Sequence, residues 1–401
     1  MNIFKRALEK PIQKALSNQK SVLLLGARQT GKTTLCESLF FDLKLNFSEV
    51  KTRQLYEQYP ERLQQELEKI KQDIKKMPCV LIDEVQKNPE LLDLVQFLID
   101  QKTAQFVLTG SSVRKLRRGG GVNLLPGRVI HFELDPLSLS EYGDRKPSLE
   151  SLMLEGSLPG IRLIEDEEVR QWTLESYVSA YLEEEIREEA QARDLGKFGR
   201  FLELAASESG YLMNFSKLAS EIGLSVQTIS NYFEILEDSL LIHRIEPFLD
   251  TKTRRQLSKA PKYLLFDLGV RSMASKEKLI GSNEQRGRLF EQWAGLELIR
   301  NIRMNRRPLK VHYWRDKNGI EVDWVLKGSQ QLTPIEIKWT ENPTEADIKH
   351  LKIFLKEYPD SEKAFLICNA PRAFELNEKI LVLPWHEISQ VFAEKIKDDQ
   401  E

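Results

Sequence analysis

Short apolar runs alternating with amphipathic stretches organise the first third of the chain. "SVLLLGARQTGKTTLCESLF" reads as a buried strand, a glycine loop and a helix. "LKLNFSEV" (43–50), "CVLIDEV" (79–85), "AQFVLTGSS" (104–112) and "GRVIHFEL" (127–134) read as four more strands. "CVLIDEV" is apolar enough to be covered on both faces. Helical stretches separate several of these strands, which predicts crossover connections and a parallel sheet. That segment, 1–145, is followed by a helical and strongly acidic one, 146–196, running through "YLEEEIREEA". Over 197–260 the pattern becomes three helices and a strand pair: "FGRFLELAASES", "FSKLASEIGL", "VQTISNYFEILEDSL", then "LIHRIEPF". The last segment, 261–401, opens on "KYLLFDLGVRSM" and continues through the helix "GRLFEQWAGLELIRNI". Strands are predicted there at 309–316, 320–327, 332–338 and 363–368.

Composition narrows the class. A chain of 401 residues with 41% hydrophobic and 30% charged residues buries several cores and is neither disordered nor fibrous. No run approaches eighteen apolar residues and the first sixteen residues hold no apolar signal core, so no membrane partner is expected. Cys36, Cys79 and Cys368 are scattered, which fits a reducing cytoplasm and argues against structural zinc. With a net charge of only −2, any nucleic-acid surface must be local. Three basic clusters are candidates, at 114–118, 251–262 and 303–310.

The glycine loop carries the most specific chemistry. "GARQTGKTT" satisfies G-x-x-x-x-G-K-[ST], with Gly26, Ala27, Arg28, Gln29, Thr30, Gly31, Lys32, Thr33 and Thr34 as the candidate nucleotide cradle. Gly26 and Gly31 let the backbone N–H groups converge on phosphates, Lys32 reaches the β- and γ-phosphates, and the Thr33 hydroxyl ligates magnesium. At the end of "VLIDEV", Asp83 is expected to hold magnesium through water and Glu84 to orient and deprotonate the attacking water. Thr109, Ser111 or Ser112, ending the strand "LTGSS", is placed to sense the γ-phosphate. With these motifs, and with "LPGRVIHFELDPLSLSEY" following, residues 1–145 resemble an AAA-type P-loop ATPase of a prokaryotic group. The resemblance implies ATP hydrolysis with Mg2+ in a homo-oligomeric ring, a hexamer being the candidate size, whose neighbour supplies an arginine finger. Arg128 is the first choice for that finger and Arg114 the second. AAA proteins usually carry Asn or Thr as first sensor, where this chain offers "TGSS".

In "LASEIGLSVQTISNYFEIL", Glu221, Ile222 and Gly223 form the turn of a helix-turn-helix, and "LLIHRIEPF" resembles the first strand of a wing. Val226, Gln227, Thr228, Ser230 and Asn231 would face a major groove, with Ile229, Tyr232 and Phe233 on the buried side. The basic residues that follow favour DNA over a plain packing module.

Near the end, "GIEVDWVLKGSQQLTPIEIKWT" places Asp323 between apolar residues and Glu336 and Lys338 on one face of the next strand. Two carboxylates and a lysine are the arrangement of a metal-dependent nuclease. Residues 262–370 resemble the restriction-endonuclease-like fold of the PD-(D/E)xK nucleases. The resemblance implies that Asp323 and Glu336 bind Mg2+ or Mn2+, that Glu291 completes the site, and that Lys338 acts on water and phosphate. The expected whole is an α/β chain: a parallel-sheet ATPase with a helical subdomain, a winged helix and a nuclease-like α/β domain. Its expected function is ATP-driven work on DNA, with cleavage open. The alternative is a nucleotide-dependent switch that binds a protein partner or represses transcription, with a dead nuclease-like module.

Overall fold

The computed structural model describes residues 3–112, 125–186, 194–250, 257–277, 281–329 and 331–395. The chain packs as two units rather than as four successive segments. The first comprises Met1–Leu137, Leu158–Leu163 and Glu234–Leu241, and the second Ser138–Ser157, Ile164–Phe233 and Ile242–Glu401.

The first unit is built on five strands: β1 (Ser21–Leu25), β2 (Leu43–Asn46), β3 (Cys79–Asp83), β4 (Gln105–Gly110) and β5 (Val129–Glu133). They form one sheet in the order β2-β3-β4-β1-β5, and every neighbour pair is parallel. Parallel strands joined by crossovers are covered on both faces, so β1 and β3 are buried at every position, as their unbroken apolar runs require. Leu23, Leu25, Val80, Ile82, Phe106 and Leu108 pack with Val95 and Leu98 of the helix Leu91–Asp100 in one core. β2 is shorter than the expected 43–50. The Asn46 side chain accepts from the Ser48 N–H at 2.9 Å, an Asx turn that ends the strand, and the helix Val50–Gln58 starts at once. Order β4-β1-β5 puts β1 centrally, so the loop leaving Leu25 and the end of β3 open on the same edge of the sheet, where α/β sheets place ligands.

The second unit contains the helices Leu149–Glu155, Glu167–Ser176, Leu195–Ser207, Phe215–Ile222 and Leu268–Ala274, with a π-helical stretch at Tyr177–Ile186. The helix Val226–Asp238 follows Phe215–Ile222 after a turn at Gly223, whose φ of 71° is the left-handed value glycine tolerates. Ile229, Tyr232 and Phe233 are buried as expected, among Phe198, Phe201, Phe215 and Tyr263. β6 (Ile242–Ile245) pairs antiparallel with β7 (Lys262–Leu265). This corrects the sequence reading, which made Lys262–Leu265 the opening strand of a separate last segment. Its partner lies across 246–261, so no hairpin signal marks the pairing in the sequence.

Six more strands, β8 (Lys310–Arg315), β9 (Glu321–Lys327), β10 (Leu332–Ile337), β11 (Ala364–Cys368), β12 (Phe374–Asn377) and β13 (Ile380–Pro384), form a mixed sheet in the order β12-β13-β11-β10-β9-β8. β11 runs parallel to both β10 and β13. The 22-residue helix Asn283–Met304 packs on this sheet. Gly295 sets its approach: a Cβ there would lie 2.4 Å from the indole of Trp324 on β9. The Trp324 indole N–H also donates to the Glu291 carbonyl at 3.1 Å. Glu291 stands one turn before Gly295, on the same helix face, and is thereby fixed over β9.

Candidate functional site

In the first unit, the strand-loop-helix places the candidate cradle residues 26–34 at the end of β1. Gly26 admits no side chain, since a Cβ would lie 2.5 Å from the Leu134 carbonyl oxygen and 2.9 Å from Thr30 Oγ1. Gly31 has φ 92° and Gln29 φ 63°, so the loop turns back on itself in left-handed backbone. The Lys32 ammonium is buried inside that turn and donates to the carbonyls of Gly26 at 2.8 Å and Ala27 at 3.1 Å. Burial pushes its pKa down, while the Glu84 and Asp83 carboxylates act the other way. A buried ammonium hydrogen-bonded to loop carbonyls is what a polyanion would draw out, so the loop fits a nucleotide's phosphates. Arg6, which sequence reasoning missed, braces the cradle from outside. Its guanidinium donates to the Thr30 carbonyl at 2.5 Å and to the Asp135 carbonyl at 2.7 Å. A lone arginine before the first amphipathic helix carries no sequence signal for that task.

The end of β3 completes the constellation. Thr33 Oγ1 donates to Asp83 Oδ2 at 3.0 Å, and the Thr109 hydroxyl donates to the other Asp83 oxygen. The two expected magnesium ligands are thus in mutual reach. Glu84 sits at φ 58°, ψ 46°, a left-handed conformation costing a non-glycine residue about 1–3 kcal/mol, of the kind that gathers at functional sites. Its N–H donates to Thr109 Oγ1 at 3.0 Å. Its carboxylate accepts from Gln86 Nε2 at 2.5 Å and from Ser111 Oγ at 3.4 Å. Ser111 therefore reaches the candidate base, whereas Thr109 supports Asp83 and the backbone of Glu84. Gln86 was not singled out in the sequence; it holds both Glu84 and Ser111, the latter at 3.0 Å. Arg128 makes a bidentate pair with Asp100 of its own chain, Nε to Oδ1 at 2.8 Å and Nη2 to Oδ2 at 2.9 Å. Arg114 and the basic cluster 114–118 lie outside the described residues, as does 251–256 of the second cluster.

In the second unit the three carboxylates brought together are Glu291, Glu321 and Asp323, with one oxygen of each within 4.8 Å of the others. This differs from the expected set of Glu291, Asp323 and Glu336. Glu321 and Asp323 are two apart on β9 and share a face. Pairing of Ile335 with Trp324 puts Glu336 on the neighbouring strand, where Lys338 Nζ holds its Oε1 at 2.6 Å. Its other oxygen is buried without a hydrogen-bond partner. Asp323 Oδ2 accepts from the Ile337 N–H at 2.8 Å. Burial pushes the carboxyls of Glu291, Asp323 and Glu336 each up to about 7, and neighbouring carboxylates add to it.

Lys262, counted in the sequence with the basic cluster 251–262 as a candidate nucleic-acid surface, is instead buried against these carboxylates. Its side chain is only 4% exposed and its ammonium donates to Glu321 Oε1 at 2.7 Å and Glu291 Oε1 at 3.0 Å. It lies 5.0 Å from the Tyr313 ring centre and 5.7 Å from that of Trp324, within cation–π reach. Burial alone would lower its pKa, but Glu291, Glu321 and Asp323 raise it overall, so it is charged at neutral pH. A lysine opening the apolar strand "KYLL" reads in sequence as an exposed strand end.

Residues 18–143 match the AAA domain family. That stretch contains the strand-loop-helix, Asp83, Glu84 and Ser111, and it is similar to an AAA-family ATPase domain. Residues 146–279 match a domain of unknown function (DUF8612), and residues 286–388 match another (DUF4143). The chain is 25% identical over 356 residues to an uncharacterised protein of Mycobacterium tuberculosis, covering 86% of this chain and 76% of that one. An uncharacterised protein of Methanocaldococcus jannaschii is 24% identical over 318 residues, covering 73% and 68%. Among solved structures, PCH-2 of C. elegans aligns with a TM-score of 0.26 at 17% identity, over 58% of this chain and 65% of that one. About a third of that chain is therefore not covered. No helix among the described residues is long and apolar enough to cross a membrane.

Proposed function

We propose that the chain hydrolyses ATP with Mg2+ and spends that hydrolysis on DNA. The observation that carries the ATPase reading is the meeting of Lys32, Thr33, Asp83 and Glu84 at one edge of the parallel sheet. Bound ATP with its magnesium ion supplies the transferable phosphoryl group and the cation that neutralises it. The loop N–H groups of 26–34 bind the phosphates, and Lys32 leaves its two carbonyls to compensate their charge. Thr33 and Asp83 would hold the metal ion. Glu84 takes the proton of the attacking water, released to do so from Gln86 and oriented by Ser111.

The DNA half of the reading rests on the helix Val226–Asp238. Val226, Gln227 and Asn231 are exposed at its start while Ile229, Tyr232 and Phe233 are buried, the division a recognition helix needs. The β6–β7 ribbon beside it supports the winged-helix reading. The deciding measurement is phosphate release with and without single-stranded, duplex and branched DNA. Stimulation by any of them is expected, and an identical rate in all would remove DNA from the reading.

A second reading is a nucleotide-dependent switch whose C-terminal module binds a protein partner and does not cut. One observation favours it: Lys262 and Lys338 already pair the carboxylates of the nuclease-like site.

A further inference from the structure

The expected site in the second unit is an acidic cluster that takes Mg2+ or Mn2+. The residues present do not fit that expectation. We infer that the ammonium of Lys262 is the resident cation of the Glu291–Glu321–Asp323 cluster, standing where a divalent metal ion would stand, so that the module takes no metal there. The inference rests on the carboxylate geometry alone, and the fate of the DNA reading does not touch it.

Three observations carry it. First, Lys262 engages two of the three carboxylates that come within 4.8 Å of one another, both at hydrogen-bond distance. A dication entering among those oxygens would meet the ammonium at contact distance, and like charges at that range repel strongly in a buried site. Second, two more oxygens of the cluster are already in use. Glu321 Oε2 accepts from Arg315 at 2.8 Å and Asp323 Oδ2 accepts from the Ile337 N–H. Third, Lys262 is placed by backbone and not by chance of rotamer. It pairs with Ile245 across β6–β7 and bridges Leu212, while the preceding Pro261 carbonyl accepts from the Met213 N–H at 2.9 Å. The Tyr313 and Trp324 rings flank the ammonium, a lining that suits an organic cation and offers a hard metal ion nothing. Clustered, half-buried carboxylates need a compensating cation, and the chain supplies its own.

The test is Mn2+ binding to the full-length protein without nucleotide, read by the electron paramagnetic resonance of free Mn2+. Wild type is expected to show no saturable site that Asp323→Asn removes. Lys262→Met is expected to gain one, at least about tenfold tighter than any wild-type binding, because the repelling charge is gone. Adding Asp323→Asn to Lys262→Met should abolish the gain. If Lys262→Met folds only in the presence of Mn2+, that rescue supports the inference equally, since the metal then replaces the ammonium. The inference is overturned if wild type binds Mn2+ at a site lost in Asp323→Asn or Glu336→Gln. It is also overturned if folded Lys262→Met gains no site, or if an unfolded one is not rescued by Mn2+.

Discussion

Lys32 and Glu84 do different work, and substitution separates them. Lys32→Ala removes the buried ammonium of the cradle, so it should lower ATP turnover about 10²–10³-fold, the usual effect of losing one transition-state charge partner. Glu84→Gln keeps a hydrogen-bonding side chain of the same size beside Gln86 and Ser111 but cannot accept a proton. It should bind ATP normally and stop hydrolysis, seen by combining equilibrium nucleotide binding with phosphate release. Normal turnover in Glu84→Gln would move the water-activating role to another residue. The carboxylates of the second unit make a separate prediction through pH. Burial raises the Glu336 pKa to about 7, well above the roughly 4.3 of a free glutamate. A carboxyl raised in the folded state contributes stability that is complete below its unfolded pKa and lost as pH rises through the folded one. The urea midpoint of wild type should therefore fall between about pH 4 and pH 7, and Glu336→Gln, permanently neutral, should show a shallower fall. Equal slopes for the two proteins would mean that Glu336 ionises freely in the folded state.

At the scale of elements, the seat of the helix Asn283–Met304 on β9 decides where Glu291 stands. Gly295→Ala forces a methyl to 2.4 Å from the Trp324 ring, and overpacking of this kind costs about 1–3 kcal/mol. Urea denaturation should register that loss, and the second substitution Trp324→Phe, which removes the crowding ring, should recover part of it. A double variant as unstable as the sum of the single ones would argue that the two residues do not meet. Much of this architecture was legible beforehand. Unbroken apolar runs gave the five strands of the first sheet, and four strands of the second were placed to within a residue or two. Alternating burial in the helix Val226–Asp238 followed its 3.6-residue period. What failed was non-local. The β6–β7 pairing spans sixteen intervening residues, 246–261, with no tight turn to announce it. β12 and β13 were not anticipated, since β12 is short and largely polar. Arg6 was missed and Lys262 was read only as part of a basic surface cluster because each acts on groups that only the fold brings near, and Gln86 reaches Ser111 in the same way. The nucleotide loop was legible because its chemistry is local, with five residues between Gly26 and Lys32.

For the whole molecule, the open matter is whether one chain completes its own nucleotide site. Arg128 is the proposed arginine finger for a neighbouring copy, and within its own chain it is turned onto Asp100. Both partners are at the surface, and exposed pairs of this kind are weak enough to exchange partners when a phosphate is offered. If subunits assemble, Arg128 would leave Asp100 for the γ-phosphate bound next door, where such an arginine is worth about 10³–10⁵ in turnover in other P-loop enzymes. Arg128→Ala should then bind ATP as wild type does and hydrolyse it slowly, while Asp100→Asn, which releases the guanidinium, should not lose activity. Mixing gives the sharper result. Lys32→Ala subunits have no working cradle but keep Arg128; Arg128→Ala subunits keep the cradle but lack the finger. Each protein alone should be nearly inactive, and a mixture should regain activity at those interfaces where an intact cradle meets an intact finger. Sedimentation at saturating ATP should show an oligomer under the same conditions. An inactive mixture of co-sedimenting subunits would remove Arg128 from the site, and a monomer at saturating ATP would remove the ring.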